Sequence, residues 1–224
     1  KMKKTILLSL SGVLLLACND KTKTTNSTET NNAAEPTNKE TLAANTQYKP
    51  AFEGQTRVNY VATKAEYQVE VISENIDLPW AIVNLPENKL LMTNKKGTMT
   101  VVDLNTPSVH KTVTGLPKVN HADQGGLLDI ILDPNFKENR MIYWSFSNPL
   151  NNGTTNDNTS IAKGKLSADE TKVENVSIIY QTFPAHNSGK HYGNRLAFDK
   201  EGYLYAAFGE RSDKEMRKYS QDLK

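Results

Sequence analysis

The chain has 224 residues, enough for one ordinary globular domain or for part of a larger one. Its 27 Lys and Arg residues nearly balance its 25 Asp and Glu residues, and the net charge of +2 gives no reason to expect a nucleic-acid partner. The polar character of the chain comes mostly from its first third, which is rich in Thr, Asn, Lys and Glu.

Residues 1–18 have the pattern of an export signal. Lys3 and Lys4 precede an apolar run at 6–16, and residues 15–18 read Leu-Leu-Ala-Cys. The run is too short for a transmembrane helix. The segment resembles a bacterial lipoprotein signal peptide, which implies acylation of Cys18; the alternative is an ordinary secretory signal with an accidental Cys. Either way we expect an exported protein, and with Cys18 lipidated its only contact with the membrane is this anchor.

The anchor and the tract behind it limit what the first third can do. As an anchor, the single cysteine leaves no thiol for a disulfide, a metal site or a nucleophile. The polar tract that follows cannot bury enough apolar surface to offset its ordering entropy. Residues 19–66 are therefore predicted to be a flexible tether, although 47–66 could hold an early strand, and residues 67–224 are predicted to fold.

The folded part contains a repeated pattern of two apolar strands joined by a turn with Asp, Pro, Gly or Asn. Copies occur at residues 80–93, 127–146 and 195–208. Their separation fits the blades of a β-propeller, each a sheet of about 40 to 50 residues. Helical periodicity is confined to 213–223, so the predicted fold class is all-β.

The number of copies bears on completeness. A propeller closes with about four to eight blades, and closure protects the edges of its sheets. Residues 67–224 have room for about three to four. We therefore expect this chain to be the N-terminal portion of a longer protein.

Six short motifs follow one another along the folded part. They are 78–80 (Leu-Pro-Trp), 115–117 (Gly-Leu-Pro), 124–129 (Gln-Gly-Gly-Leu-Leu-Asp), 133–136 (Asp-Pro-Asn-Phe), 191–198 (His-Tyr-Gly-Asn-Arg-Leu-Ala-Phe) and 209–211 (Gly-Glu-Arg). This ordered set resembles the glucose/sorbosone dehydrogenase family, within it most closely the soluble aldose sugar dehydrogenases that use pyrroloquinoline quinone (PQQ). The resemblance covers residues 78–223 and implies a six-bladed propeller with PQQ across its central face. It also implies a calcium ion held by a region outside this chain.

His191 and Gln124 are the two main site candidates. Oxidation of a sugar hemiacetal at its anomeric carbon needs a base with a pKa near neutrality beside the hydride acceptor. Histidine suits that task. The resemblance implies that His191 is this general base and that Gln124 contacts cofactor and substrate. The structural alternatives are a turn histidine bonded to a nearby carbonyl and an amide that caps a turn.

Three cationic residues are weaker candidates for binding substrate: Lys190, Arg195 and Arg211. Arg195 stands at the start of a strand, where a structural ion pair with Asp199 or Glu201 is at least as reasonable. Glu210 and Arg211 share a loop that lines the substrate mouth in related enzymes, with surface pairing as the alternative.

Other polar residues near these motifs suggest no metal site. Asn194 stands where a Gly is expected before the Arg, which bears on the fine positioning of His191. His110, His121 and His186 lack metal-ligand spacing and are expected to face solvent, so no metal ligand is predicted in this chain.

The expected function is oxidation of an aldose to its lactone, with an external electron acceptor completing the cycle. Two alternatives remain open at this stage. One is a calcium-dependent sugar lactonase, in which carboxylates in the central channel would bind metal and activate water. The other is a non-catalytic lipoprotein propeller that binds glycans or proteins.

Overall fold

The structure, a computed structural model, describes residues 46–53, 55, 65–150 and 153–221. The chain divides into two compact units, Lys1–Tyr67 and Gln68–Lys224. The described residues of the first unit contain no helix or strand. The predicted export signal, Cys18 and most of the predicted tether lie outside the described residues. Nowhere in the described part is there a helix long and apolar enough to cross a bilayer.

The second unit is built from two four-stranded antiparallel sheets and a two-stranded hairpin, each connected in chain order. The first sheet contains β1 (Pro79–Leu85), β2 (Lys89–Asn94), β3 (Thr98–Asp103) and β4 (His110–Val113). The second contains β5 (Leu127–Leu132), β6 (Met141–Pro149), β7 (Asp157–Leu166) and β8 (Val173–Gln181). The hairpin consists of β9 (Arg195–Phe198) and β10 (Leu204–Ala207).

The up-and-down order of four antiparallel strands is that of a propeller blade. The three repeats predicted from the sequence correspond to β1–β2, β5–β6 and β9–β10, so the all-β, blade-like prediction is confirmed. The described residues therefore form two complete blades and the first two strands of a third, slightly fewer than the three to four blades expected.

Apolar side chains from both sheets share one core. Leu91 and Met99 from the first sheet pack in the same cluster as Leu127, Trp144 and Phe146 from the second, and all five are almost fully buried. β5 lies against β1 and β2, and β9 lies against β5. The apolar side chains shared between the two sheets therefore pack the blades face to face.

A buried carboxylate also joins the first two blades near their outer strands. Glu170, in the turn between β7 and β8, accepts hydrogen bonds from Lys89 Nζ at 2.9 Å and Lys111 Nζ at 3.1 Å. Burial would raise the pKa of Glu170, but the bonds from the two lysines outweigh it and hold that pKa below its usual range. Beside it, Thr114 and Lys172 form a parallel bridge between the sheets.

Two short helices complete the unit. α1 (Phe136–Asn139) is a single turn between β5 and β6 that the sequence pattern did not indicate. α2 (Lys214–Arg217) and the 3₁₀ turn Lys218–Gln221 fall within the predicted helical segment. The Asp213 side chain accepts hydrogen bonds from the first backbone N–H groups of α2, the usual role of an N-cap aspartate.

Candidate active site

The two loops that carry Gln124 and His191 meet in the structure. Each loop precedes the innermost strand of its sheet, and these strands, β5 and β9, pack against each other. The His191 backbone N–H donates to Gln124 Oε1 at 2.8 Å, and the Gln124 backbone N–H donates to the Gly189 carbonyl at 2.9 Å. The sequence candidates thus form one site, and part of the amide of Gln124 serves to hold the histidine loop.

Glycines allow this close approach of backbones. Gly126 has φ +134°, a conformation that side chains disfavour, and a β-carbon there would collide with the Lys95 carbonyl. A β-carbon at Gly209 would likewise collide with the His191 carbonyl. His191 itself has φ 46°, so its loop holds a residue with a side chain in the left-handed region.

The imidazole of His191 is paired with a carboxylate. His191 Nδ1 lies 2.9 Å from Glu210 Oε1, and Arg217 Nε lies 3.8 Å from the same oxygen. The bond from His191 holds the pKa of the Glu210 carboxyl below its usual range. Because a carboxylate can only accept, Nδ1 carries the proton, and the lone pair of the neutral ring is on Nε2. Nε2 is therefore the nitrogen available to take a proton.

A pocket of about 470 Å³ is lined by residues of both loops, among them Gln124 and His191. Its volume is within the range of small-molecule sites. The wall includes the half-exposed indole of Trp80, and Lys95, whose ammonium donates to the Asp123 carbonyl. Sequence patterns indicate no role for Trp80, Lys95 or Asp123, although Trp80 lies within the Leu-Pro-Trp motif. The lining residues are Trp80, Lys95, Asp123, Gln124, Leu128, His191, Tyr192 and Gly193.

Arg211 is buried and is not among the residues that line the pocket. Only 4% of the residue is exposed, and its Nη2 lies 2.6 Å from Asp157 Oδ1. Its guanidinium carbon lies 4.0 Å from the centre of the Tyr192 ring. In this position the donors of Arg211 are turned toward the protein's own groups, and substrate binding by Arg211 stays a prediction.

Arg195 and Lys190, the other cationic candidates, are at the surface. The side chain of Arg195 is 80% exposed, and its ion pair, at 3.6 Å, is with Asp129; the suggested partners were Asp199 and Glu201. Lys190 is exposed, and its carbonyl accepts a bond from Arg211 Nε at 3.3 Å. Neither Arg195 nor Lys190 is among the residues that line the pocket. Substrate binding by either residue stays a prediction.

The other polar residues considered from the sequence are Asn194 and the histidines at positions 110, 121 and 186. Asn194 has φ 133°, and within the described residues neither polar atom of its buried side-chain amide has a hydrogen-bond partner. His110 Nε2 lies 2.7 Å from Ser73 Oγ, and His186 Nε2 lies 3.7 Å from Asp213 Oδ2. His110 and His186 are partly buried, whereas the sequence suggested that they face solvent. His121 is exposed. The described residues contain no group of three or more His, Cys, Asp or Glu that could hold a metal.

Comparison with known proteins gives a consistent result. Residues 76–224 match the family model described as Glucose / Sorbosone dehydrogenase. The chain is 35% identical over 163 residues to the aldose sugar dehydrogenase YliI of Escherichia coli K12, covering 72% of this chain and 42% of that protein. It thus spans less than half the length of this relative.

Solved structures agree. The apo form of the soluble aldose sugar dehydrogenase from E. coli matches with a TM-score of 0.62 and 33% identity, covering 69% of this chain and 43% of that one. The PQQ-bound aldose sugar dehydrogenase from Streptomyces coelicolor matches with a TM-score of 0.58 and 26% identity, covering 70% of this chain and 44% of that one. The chain therefore belongs to the glucose/sorbosone dehydrogenase family.

Proposed function

We propose that this chain contributes the base side of the active site of a PQQ-dependent dehydrogenase that oxidises an aldose at its anomeric carbon to the lactone. The observation that carries the proposal is the pair formed by His191 Nδ1 and Glu210, 2.9 Å apart, with the imidazole on the wall of a pocket. Family membership supports this reaction class over the sugar lactonase and the glycan-binding or protein-binding propeller.

The residues of the pocket fit a flat, anionic quinone. The indole of Trp80 and the side chain of Leu128 offer apolar surface to an aromatic ring system, and Lys95 offers a cation for a carboxylate. Gln124 has an amide NH₂ that can donate to a quinone or sugar oxygen while its Oε1 accepts from His191 N–H. When bound, PQQ supplies the two-electron acceptor for the hydride of the anomeric carbon.

The role of His191 follows from its partner. The Glu210 carboxylate fixes the proton on Nδ1 and orients the ring, so Nε2 can accept the proton of the anomeric hydroxyl. As that proton leaves, the C1–O bond becomes the carbonyl of the lactone. The imidazolium that forms is stabilised by the carboxylate 2.9 Å away, as in other histidine bases with an acidic partner.

The remaining parts of the proposal concern the whole protein. Calcium, if it acts with PQQ, would be bound outside this chain, and an external acceptor would reoxidise the cofactor. Acylation of Cys18 would hold the exported enzyme at a membrane through lipid alone. The family resemblance supports the calcium ion and the external acceptor, and the N-terminal sequence supports the anchor.

Reconstitution of the full-length protein tests the proposed function. We expect the apo protein to bind PQQ in the presence of calcium and to reduce an artificial electron acceptor when aldoses are added, with lactone as product. Hydrolysis of added lactones without acceptor reduction would instead indicate the lactonase. Sugar binding without any turnover would indicate the binding module.

A further inference from the structure

A buried ion pair contacts the loop that carries His191. Arg211 and Asp157 are 4% and 2% exposed, and their nearest atoms, Nη2 and Oδ1, are 2.6 Å apart. Asp157 is the first residue of β7, so it belongs to a rigid strand of the second blade. Arg211 belongs to the loop that follows β10. The pair thus connects a fixed strand to a loop of the candidate site.

Arg211 contacts the histidine loop at several points. Its Nε donates to the Lys190 carbonyl at 3.3 Å, and its Nη2 donates to the Ser188 carbonyl. Its backbone N–H donates to the His191 carbonyl at 3.1 Å, and its own carbonyl accepts from Ser188 Oγ at 2.6 Å. One residue therefore binds the backbone at Ser188 and Lys190, which precede His191, and at His191 itself.

Asp157 extends the same connection to the loop that carries Gln124. Its Oδ2 accepts from Asn120 Nδ2 at 2.5 Å and from Tyr192 OH at 2.6 Å. Tyr192 follows the histidine and packs its ring under the Arg211 guanidinium. Both loops of the site are thus fixed to one carboxylate.

We propose that Arg211 and Asp157 are positioning residues that hold His191 in its left-handed backbone conformation, with its imidazole in the pocket and in contact with Glu210. This inference rests on the proposed function, in which His191 is the base. Rigid support of this kind matters because small displacements of a catalytic group cost large factors in rate. A merely structural role for the pair would contribute to stability without affecting the histidine.

The test uses the full-length protein with the variants Arg211→Lys and Tyr192→Phe. Arg211→Lys keeps the positive charge but loses the planar fork that reaches the carbonyls of Asp157, Ser188 and Lys190 and the Asp157 carboxylate. Tyr192→Phe keeps the ring and removes only the bond to Asp157. The matched control is Glu170→Gln, which disrupts another buried ion-pair network whose members, Glu170, Lys89 and Lys111, do not line the pocket. Melting temperature, kcat and KM are measured for each holoenzyme, and the ¹⁵N signals of the His191 ring for each apo protein.

We expect Arg211→Lys to lower kcat by about 100-fold with little change in KM, and Tyr192→Phe to have a smaller effect in the same direction. In both variants the ¹⁵N signals should show the His191 ring losing its single Nδ1–H tautomer. Glu170→Gln should lower the melting temperature while kcat and the ring signals stay unchanged.

The inference is overturned if both site variants lower the melting temperature as the control does, yet keep kcat and the His191 ring signals. If Arg211→Lys does not fold, Tyr192→Phe alone decides between these outcomes. The ring signals are read without PQQ or sugar, so they test positioning even if His191→Ala proves fully active and the proposed base is wrong.

Discussion

The Glu210 carboxylate gives His191 the geometry of a base. An isolated exposed imidazole can carry its proton on either nitrogen, but the 2.9 Å contact with Glu210 Oε1 fixes that proton on Nδ1. The same carboxylate stabilises the imidazolium after proton transfer. Glu210 is therefore the residue whose role is clearer from the structure than from the sequence.

Glu210→Gln should lower turnover with an aldose by about 10- to 10⁴-fold, the span between carboxylates that orient metal-bound histidines and those that orient a histidine base. The amide keeps a hydrogen-bond acceptor but loses the charge that stabilises the imidazolium. Steady-state kinetics of the PQQ-loaded enzyme measure this. Glu215→Gln, which removes an exposed acid paired with Lys218 at 3.0 Å, serves as the control. Equal turnover in both variants would show that Glu210 does not act through His191.

Sequence patterns predicted the meeting of His191 and Gln124 better than the surroundings of either residue. Both residues precede inner strands, so the repeat itself brings their loops to one end of the blades. The burial of Arg211 could not be predicted, because it depends on a loop that folds back through Arg211 and Ser212, both with positive φ. A basic residue in a motif does not reveal whether its donors face a ligand or the protein.

Among the elements, the inner strands were predictable and the outer strands were not. β1, β2, β5 and β6 combine apolar runs with turn residues, which mark them clearly. Three of the four residues of β4 are polar, and β8 exposes most of its side chains, so neither has the alternation of a strand with one buried face. β7 begins with buried Asp, Asn, Thr and Ser, whose burial depends on partners in other segments.

The Glu170 network predicts a pH-dependent contribution to the stability of the blade interface. Glu170→Gln should lower the free energy of unfolding at neutral pH by about 1–3 kcal/mol, because two lysines lose a charged acceptor. The pKa of Glu170 is lowered in the folded state, so this contribution is full above the unfolded pKa and is lost as pH falls through the folded pKa. The difference between the variant and the wild type should accordingly shrink in acid.

Denaturant unfolding of the full-length protein at several pH values measures this difference. The matched control is Glu174→Gln, because Glu174 is 41% exposed and pairs with Lys172 at 2.8 Å, also at the surface. Surface pairs of this kind contribute little, so the control should be nearly neutral. A pH-independent loss of equal size in both variants would contradict the assignment.

For the whole molecule, exposed apolar side chains lie on the segment before β1, on β1, on β8 and on the last hairpin of the second unit. Leu78, Trp80 and Ile82 are each about half exposed at β1, and Tyr203 and Tyr205 are exposed at the hairpin. The closed propellers of this fold class cover such faces with neighbouring blades. This agrees with a chain that spans 42% of the E. coli relative.

The predicted lipid anchor also belongs to this scale. Cys18→Ser should release the exported protein from the membrane fraction, because a serine cannot carry the thioether-linked lipid. Fractionation of cells that express the full-length protein, followed by immunoblotting, measures the change. Retention of the variant in the membrane fraction at the wild-type level would contradict anchoring through Cys18.

The central claim is that His191 takes the proton of the anomeric hydroxyl, and single-turnover reduction of the PQQ-loaded, full-length enzyme by an aldose tests it most directly. His191→Ala should slow reduction by about two to four orders of magnitude while leaving PQQ affinity nearly unchanged, since a general base contributes about that factor. The control is His110→Ala, which alters a histidine on β4; its PQQ should be reduced by the aldose at the wild-type rate. Near-normal reduction by His191→Ala would contradict the account.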